Sequence, residues 1–138
     1  MKSPVFSKTQ KRAGQTDASF LTWFVDSFLP KHFPEAMVVD RPMLLAMHET
    51  GLRYARHFGF EDRADQTQFL ALMNDVGPDF WRFDGFREAI GAKDKSPDER
   101  ISLVYDTVTG AQFETALMEQ EPLYWFAHQV SDHALGMS

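Results

Sequence analysis

Cysteine is absent from the 138 residues, which excludes disulfides, thiolate metal sites and cysteine nucleophiles and says nothing positive about compartment. Long apolar runs are also missing, and a membrane helix needs roughly 20 such residues. Residues 1–16 carry basic side chains but no apolar stretch of the signal-peptide kind, so cytoplasmic residence is the expectation. Cations are in deficit: 14 Lys and Arg stand against 20 Asp and Glu, for a formal charge of −6. The deficit is uneven, with residues 1–69 netting +1 and residues 70–138 netting −7. Nucleic-acid binding, which depends on cations displacing condensed counterions, is not expected of such a surface. An acidic face suits a partner with a basic one, although acidity commonly serves solubility alone.

Catalytic signatures are lacking as well. There is no Gly-x-Ser-x-Gly, no phosphate-binding Gly-x-x-x-x-Gly-Lys-Ser/Thr and no Gly-x-Gly-x-x-Gly. His48-Glu49 starts like a zinc-binding His-Glu-x-x-His, but Leu52 stands where the second histidine would be. His48 and His57 lie nine apart on one predicted helix and point to different sides. His128 and His133, with Asp132, could converge only if the C-terminal segment folds to suit. The acids at Glu61, Asp62 and Asp65, and at Asp94, Asp98 and Glu99, sit at helix starts, where the helix dipole favours them. No catalytic residue, metal ligand or cofactor is assigned.

What the chain has in quantity is rings and helix punctuation. Residues are 43% hydrophobic and 25% charged, with thirteen phenylalanines, the balance of a globular domain. Residues 1–15 read as a flexible basic tail and residues 16–138 as one helical domain. Thr16 or Asp17 opens a helix whose stripe is Phe20, Leu21, Phe24, Val25, Phe28 and Leu29, with Pro30 at its end. Asp40 and Pro42 start a second helix carrying Leu44, Leu45, His48, Leu52, Ala55 and Phe58. Gly51 in its middle costs roughly 1 kcal/mol against alanine, so either a neighbour approaches closely or the glycine is tolerated. Gly59 stops this helix, Phe60 folds back on it, and Asp62 caps the next, with the stripe Phe69, Leu70, Met73 and Val76 ended by Gly77-Pro78.

A loop leads to a short helix from Asp84 to Ile90. Ser96-Pro97-Asp98-Glu99 is a capping box with proline at the first helical position; its helix carries Ile101, Val104, Tyr105 and Val108 and stops at Gly110. A last helix over 111–119 uses Phe113, Leu117 and Met118 before Glu121-Pro122 breaks it. With no strand pattern, the expectation is an all-α, single-domain bundle of five to seven helices with short connections. Two ring clusters, Phe80, Trp81, Phe83 and Phe86, then Tyr124, Trp125 and Phe126, admit two readings. They plug the bundle as core, or they form an exposed surface for a partner.

His32-Phe33-Pro34-Glu35, then Gly51-Leu52-x-x-Ala55-x-x-Phe58-Gly59, then Phe69-x-x-Leu72-Met73-x-x-x-Gly77-x-x-Phe80 give residues 17–108 an outline. It resembles a group of small, uncharacterised, all-helical bacterial proteins often encoded beside type VI secretion effector and spike genes. The chain departs from that group after the Gly-x-x-Phe element, where Trp81 comes early and Phe86 follows. The resemblance implies a cytoplasmic, non-catalytic helper: an adaptor or chaperone for an effector, or an immunity-type partner holding one inactive. The seven rings just named are then the candidate partner-binding residues. Two alternatives stand beside it. One is a ligand-binding or enzymatic bundle using a Phe80–Phe86 groove with His48 or Arg82; the other is a self-associating structural protein that buries the Tyr124–Phe126 segment.

Overall fold

Thr16 caps the first helix, its Oγ1 accepting from the Ser19 amide at 3.0 Å, and so satisfies one of the amides a helix start leaves open. In the computed structural model, which describes residues 15–126, this helix runs as α1 (Asp17–Trp23), a π turn (Phe24–Phe28) and α2 (Leu29–His32). The π turn stands directly ahead of Pro30. Proline there lacks an amide and its ring crowds the carbonyl four residues back; the Leu29 amide reaches instead to the Phe24 carbonyl, five back. The widened turn lets the chain continue past the proline with the whole predicted stripe still buried. A 3₁₀ turn (Pro34–Val38) then leads to α3 (Arg41–His57). Asp40 holds the N-cap position of α3, but its side chain makes no capping hydrogen bond.

The end of α3 follows the sequence expectation. Gly59 has φ +88°, the Gly59 amide donates to the Arg56 carbonyl and the Phe60 amide to the Ala55 carbonyl, both at 2.9 Å. This doubled closure satisfies two orphan carbonyls and turns Phe60 into the core, where it is fully buried. Next, α4 (Arg63–Asp75) runs back along α3. At Gly51 the side chains of α4 press on the α3 backbone: a Cβ there would lie 2.6 Å from Leu70 Cδ2 and 2.9 Å from Met73 Sδ. Its helix-propensity cost is therefore offset by tighter packing of the pair.

A 3₁₀ turn (Phe80–Arg82), α5 (Phe86–Ile90), α6 (Pro97–Thr107), α7 (Gly110–Glu119) and a final 3₁₀ turn (Pro122–Trp125) complete the described chain. Among the described residues every regular element is helical, as an all-α single-domain bundle requires. The capping box at α6 is present in full: the Glu99 amide donates to Ser96 Oγ and the Ser96 amide to Glu99 Oε1. A second box opens α7, from Thr109 and Gln112. Gly110 is thus the first residue of α7, not the stop of α6 that the sequence suggested. Asp17 joins three elements, accepting from Arg56 at the end of α3 and Arg63 at the start of α4. Hydrogen bonds from those two guanidinium groups hold its carboxyl well below the usual range.

Candidate functional site

The two ring clusters meet in space, inside the protein. Phe80 and Phe86 are fully buried, and Trp81, Tyr124 and Trp125 are buried as well. Phe69 packs against Phe80 and Trp81 at 5.1 and 5.9 Å between centroids, Tyr54 against Trp81 at 4.8 Å, and Trp81 edge-on against Tyr124 at 6.1 Å. The Tyr54 hydroxyl donates to the Tyr124 carbonyl and so fastens the last 3₁₀ turn to α3. Burial pushes the Tyr54 hydroxyl up to about 12, with Tyr124 and Asp79 adding to the shift and Arg53 opposing it. These five rings are core, and the expectation that they offer a partner an exposed surface is corrected. In short 3₁₀ turns there is no long polar face to turn outward, so consecutive rings such as Phe80-Trp81 and Tyr124-Trp125 can both point in. Phe83 and Phe126 are only partly buried; the Arg82 guanidinium lies 5.3 Å from the Phe83 ring centroid and 5.0 Å from that of Tyr124.

Asp79, which the sequence reading passed over, anchors this junction. Its side chain is fully buried, and Oδ2 accepts from Arg82 Nη2 at 2.6 Å, Arg82 Nε at 3.1 Å and the Glu121 amide at 3.0 Å. Gln120 Nε2 adds a bond to the Val76 carbonyl at 3.1 Å. Arg82 stands three residues on, but the burial of Asp79 and its bond to the Glu121 amide, 42 residues away, leave no mark in the sequence around it.

His48, a candidate for the alternative ligand-binding reading, is sealed elsewhere. It lies between Phe24 and Trp125, at 5.1 and 5.0 Å. Its Nδ1 donates to the Leu44 carbonyl at 2.8 Å, and its Nε2 accepts from the Asn74 amide at 3.0 Å. Asn74 Nδ2 also donates to the Leu70 carbonyl, so flipping the amide to offer its oxygen to His48 would lose that bond. Burial pulls the imidazole down to about 4, against the weaker opposing pull of its hydrogen bonds. His48 is a neutral core residue at ordinary pH. Among the described residues no group of three or more His, Asp or Glu could hold a metal ion. His128, Asp132 and His133, and residues 1–14 of the basic tail, lie outside the described residues.

A small hollow of about 240 Å³ is lined by Arg82, Phe83, Asp84, Gln112 and Thr115, beside the ring cluster of the ligand-binding alternative, and another concavity lies where the sequence assigned mostly stripe residues. A trough of about 450 Å³ runs between α6 and α7, floored by Val104, Tyr105, Val108, Phe113 and Leu117, with Thr109 and Glu114 at its edge. Burial pushes the Tyr105 hydroxyl up to about 12, helped by the Asp75 carboxylate, so it remains a hydrogen-bond donor. Leu117 and Met118, expected on the buried stripe of α7, are 46% and 77% exposed, and Leu123 beyond them is 49% exposed. The buried residue of α7 is Ala116. Residues 101–126 also contain Asp106, Glu114, Glu119 and Glu121 and not one Lys or Arg. None of these four acids is in an ion pair among the described residues. Met37, Val38 and Met43 are exposed as well, on a stretch of sequence that carries both charge signs in Lys31, Glu35 and Arg41.

The fold defines a single-domain helical bundle with a largely apolar trough between α6 and α7. No helix among the described residues is long and apolar enough to cross a membrane. Comparison of the chain with protein-family models, curated proteins and solved structures finds no match.

Proposed function

We propose that the chain is a non-catalytic module that binds another protein through the trough between α6 and α7. The trough itself carries the reading. Exposed apolar side chains scattered singly are ordinary on any protein. Here Leu117 lines a concave apolar floor, and Met118 and Leu123 follow it on the same stretch of chain. A small-molecule site would instead place a few convergent polar groups inside a largely enclosed pocket, whereas this trough is open and lined mainly by apolar side chains. An adaptor, chaperone or immunity role beside a type VI secretion effector is the specific form we propose, and it rests on the resemblance over residues 17–108 alone.

The test is co-expression of the full chain with the products of adjacent genes, followed by light scattering on the purified species. A stoichiometric heterocomplex is expected. It should be lost in the double variant Leu117→Glu, Met118→Glu while helicity and melting temperature are kept, since both side chains are largely exposed. A lone species beside every neighbour, or a complex indifferent to the double variant, refutes the proposal. A homodimer abolished by the same variant would overturn it in favour of self-association.

A further inference from the structure

We infer that α7 is a strap over the body of the bundle, one that opens as a unit while the other helices stay folded and takes one wall of the trough with it. Burial supplies the first part. Of the helices with ten or more residues, α3 buries seven of 17, α4 seven of 13 and α6 two of 11, whereas α7 buries one of ten, and that one is Ala116. Phe113 adds a half-buried ring 5.7 Å from Phe86. Burial of apolar surface is the main term that holds an element down, and elements poor in it open at lower free energy than the core. Once unlatched, a helix of ten residues has little stability of its own in water, so it melts in one step.

The ends supply the second part. At its start α7 carries its own cap, the Thr109 amide donating to Gln112 Oε1 and the Gln112 amide to Thr109 Oγ1, which is internal to the strap and no tie to the body. At its other end two bonds fasten it: Gln120 Nε2 donates to the Val76 carbonyl at 3.1 Å and the Glu121 amide to Asp79 Oδ2 at 3.0 Å. Gln120 lies against Gly77, where a Cβ would come within 2.7 Å of Gln120 Cβ, so the latch is fitted to a missing side chain. Each such bond changes an equilibrium by about fivefold. Beyond the latch, Tyr124 and Trp125 are buried and the Tyr54 hydroxyl holds the Tyr124 carbonyl, so residues 109–121 span between α6 and an anchored turn. Opening leaves Val104, Tyr105 and Val108 in place but removes Phe113, Glu114 and Leu117 from the trough. The latch therefore sets how much of the time the trough exists, whether or not a partner uses it.

Because the chain holds no cysteine, a single introduced thiol reports opening without background. Ala116→Cys on α7 and Ala55→Cys on α3 each place one at a site with 0% exposure, and each full-length variant is labelled with excess thiol-reactive reagent in native buffer. Ala116→Cys should react at least about tenfold faster than Ala55→Cys. Its rate should rise little with urea below the unfolding transition, since opening one helix exposes little new surface, while that of Ala55→Cys should climb steeply. Adding Gln120→Ala, which removes the bond to Val76, should speed labelling at 116 by about fivefold and leave labelling at 55 unchanged. Equal rates at the two sites, or equally steep urea dependence, would mean that α7 opens only with the whole fold and would overturn the inference. An equal effect of Gln120→Ala at both sites would overturn it too. Hydrogen exchange of the unmodified chain guards against a reporter that loosens its own site. The α7 amides should share one protection factor below those of α3 and α4; protection graded from one end of α7 would be fraying, and protection equal to that of α3 would be global opening, either of which refutes the strap.

Discussion

Replacing His48 by phenylalanine should remove a definite part of the protein's pH dependence. In the folded chain the imidazole is shut between Phe24 and Trp125 with Nε2 facing an amide donor, and burial draws it from 6.5 to about 4. Unfolded, it returns to its ordinary value. Above pH 6.5 the ring is neutral in both states and contributes no pH dependence. As pH falls through 6.5 the unfolded chain takes up a proton that the folded chain refuses until about pH 4, so stability drops across that window. One pKa unit corresponds to about 1.4 kcal/mol, so the gap gives a full loss of about 3 kcal/mol, of which about 2 kcal/mol falls between pH 7 and pH 5. Urea unfolding of both proteins at pH 7, 6, 5 and 4.5 reads this directly. The wild type should lose about 2 kcal/mol more than His48→Phe between pH 7 and pH 5, whatever the variant's stability at pH 7. Every other titrating group is common to both proteins and cancels in the difference. Parallel pH profiles would refute a sealed, neutral His48.

Two further substitutions probe the scaffold. Gly51→Ala gains about 1 kcal/mol of helix propensity but presses a methyl against Leu70 and Met73, an overpacking cost of about 1–3 kcal/mol. A melting temperature lowered by a few degrees in circular dichroism is expected, and a rise would mean that α3 and α4 yield at their contact. Asp79→Ala removes the acceptor for Arg82 and for the Glu121 amide. Breaking a buried pair costs about 3–5 kcal/mol, but the Arg82 side chain is 41% exposed and turns to water, so about 2 kcal/mol in a urea titration is the expected loss. A loss under about 0.5 kcal/mol would show that burying the carboxylate cancels what its bonds contribute.

Much of the scaffold was legible because local rules and tertiary structure agree in it. Successive members of the stripe from Phe20 to Leu29, the Gly59 stop with Phe60 folded under it, and the Ser96–Glu99 box each depend on residues within five positions of one another. The π turn was not legible, since the apolar stripe reads alike through α1 and α2 and only Pro30 hints at a change of ladder. The start of α7 was legible but misread: Thr109 followed three residues later by Gln112 is the same kind of box as Ser96 and Glu99, and Gly110 drew the eye instead. Ring density announced that something aromatic happens at 80–86 and 124–126 without saying on which side of the surface. The trough was harder still. Val108, Phe113 and Leu117 have the spacing of core residues, and nothing local reveals that among the described residues they line an open trough instead.

The attachment of α7 explains how that face stays open. Besides the burial of Tyr124 and Trp125, its end is tied down by directional bonds: Gln120 to the Val76 carbonyl, the Glu121 amide to Asp79 and Tyr54 to the Tyr124 carbonyl. Apolar contact alone would be served better by rolling Leu117 and Met118 inward, since burying one such side chain contributes about 1.5–3 kcal/mol. Rolling would break these bonds and leave the buried Asp79 carboxylate with Arg82 alone, a cost of about the same size. The helix is thereby held with its apolar side chains outward and the trough already formed. A partner docking there meets a surface that needs no ordering of the main chain, which spares one of the main costs of association. Asp79 lies outside the lining of the trough, yet on this reasoning it is the residue that keeps the trough available, so its loss should weaken partner binding as well as the fold.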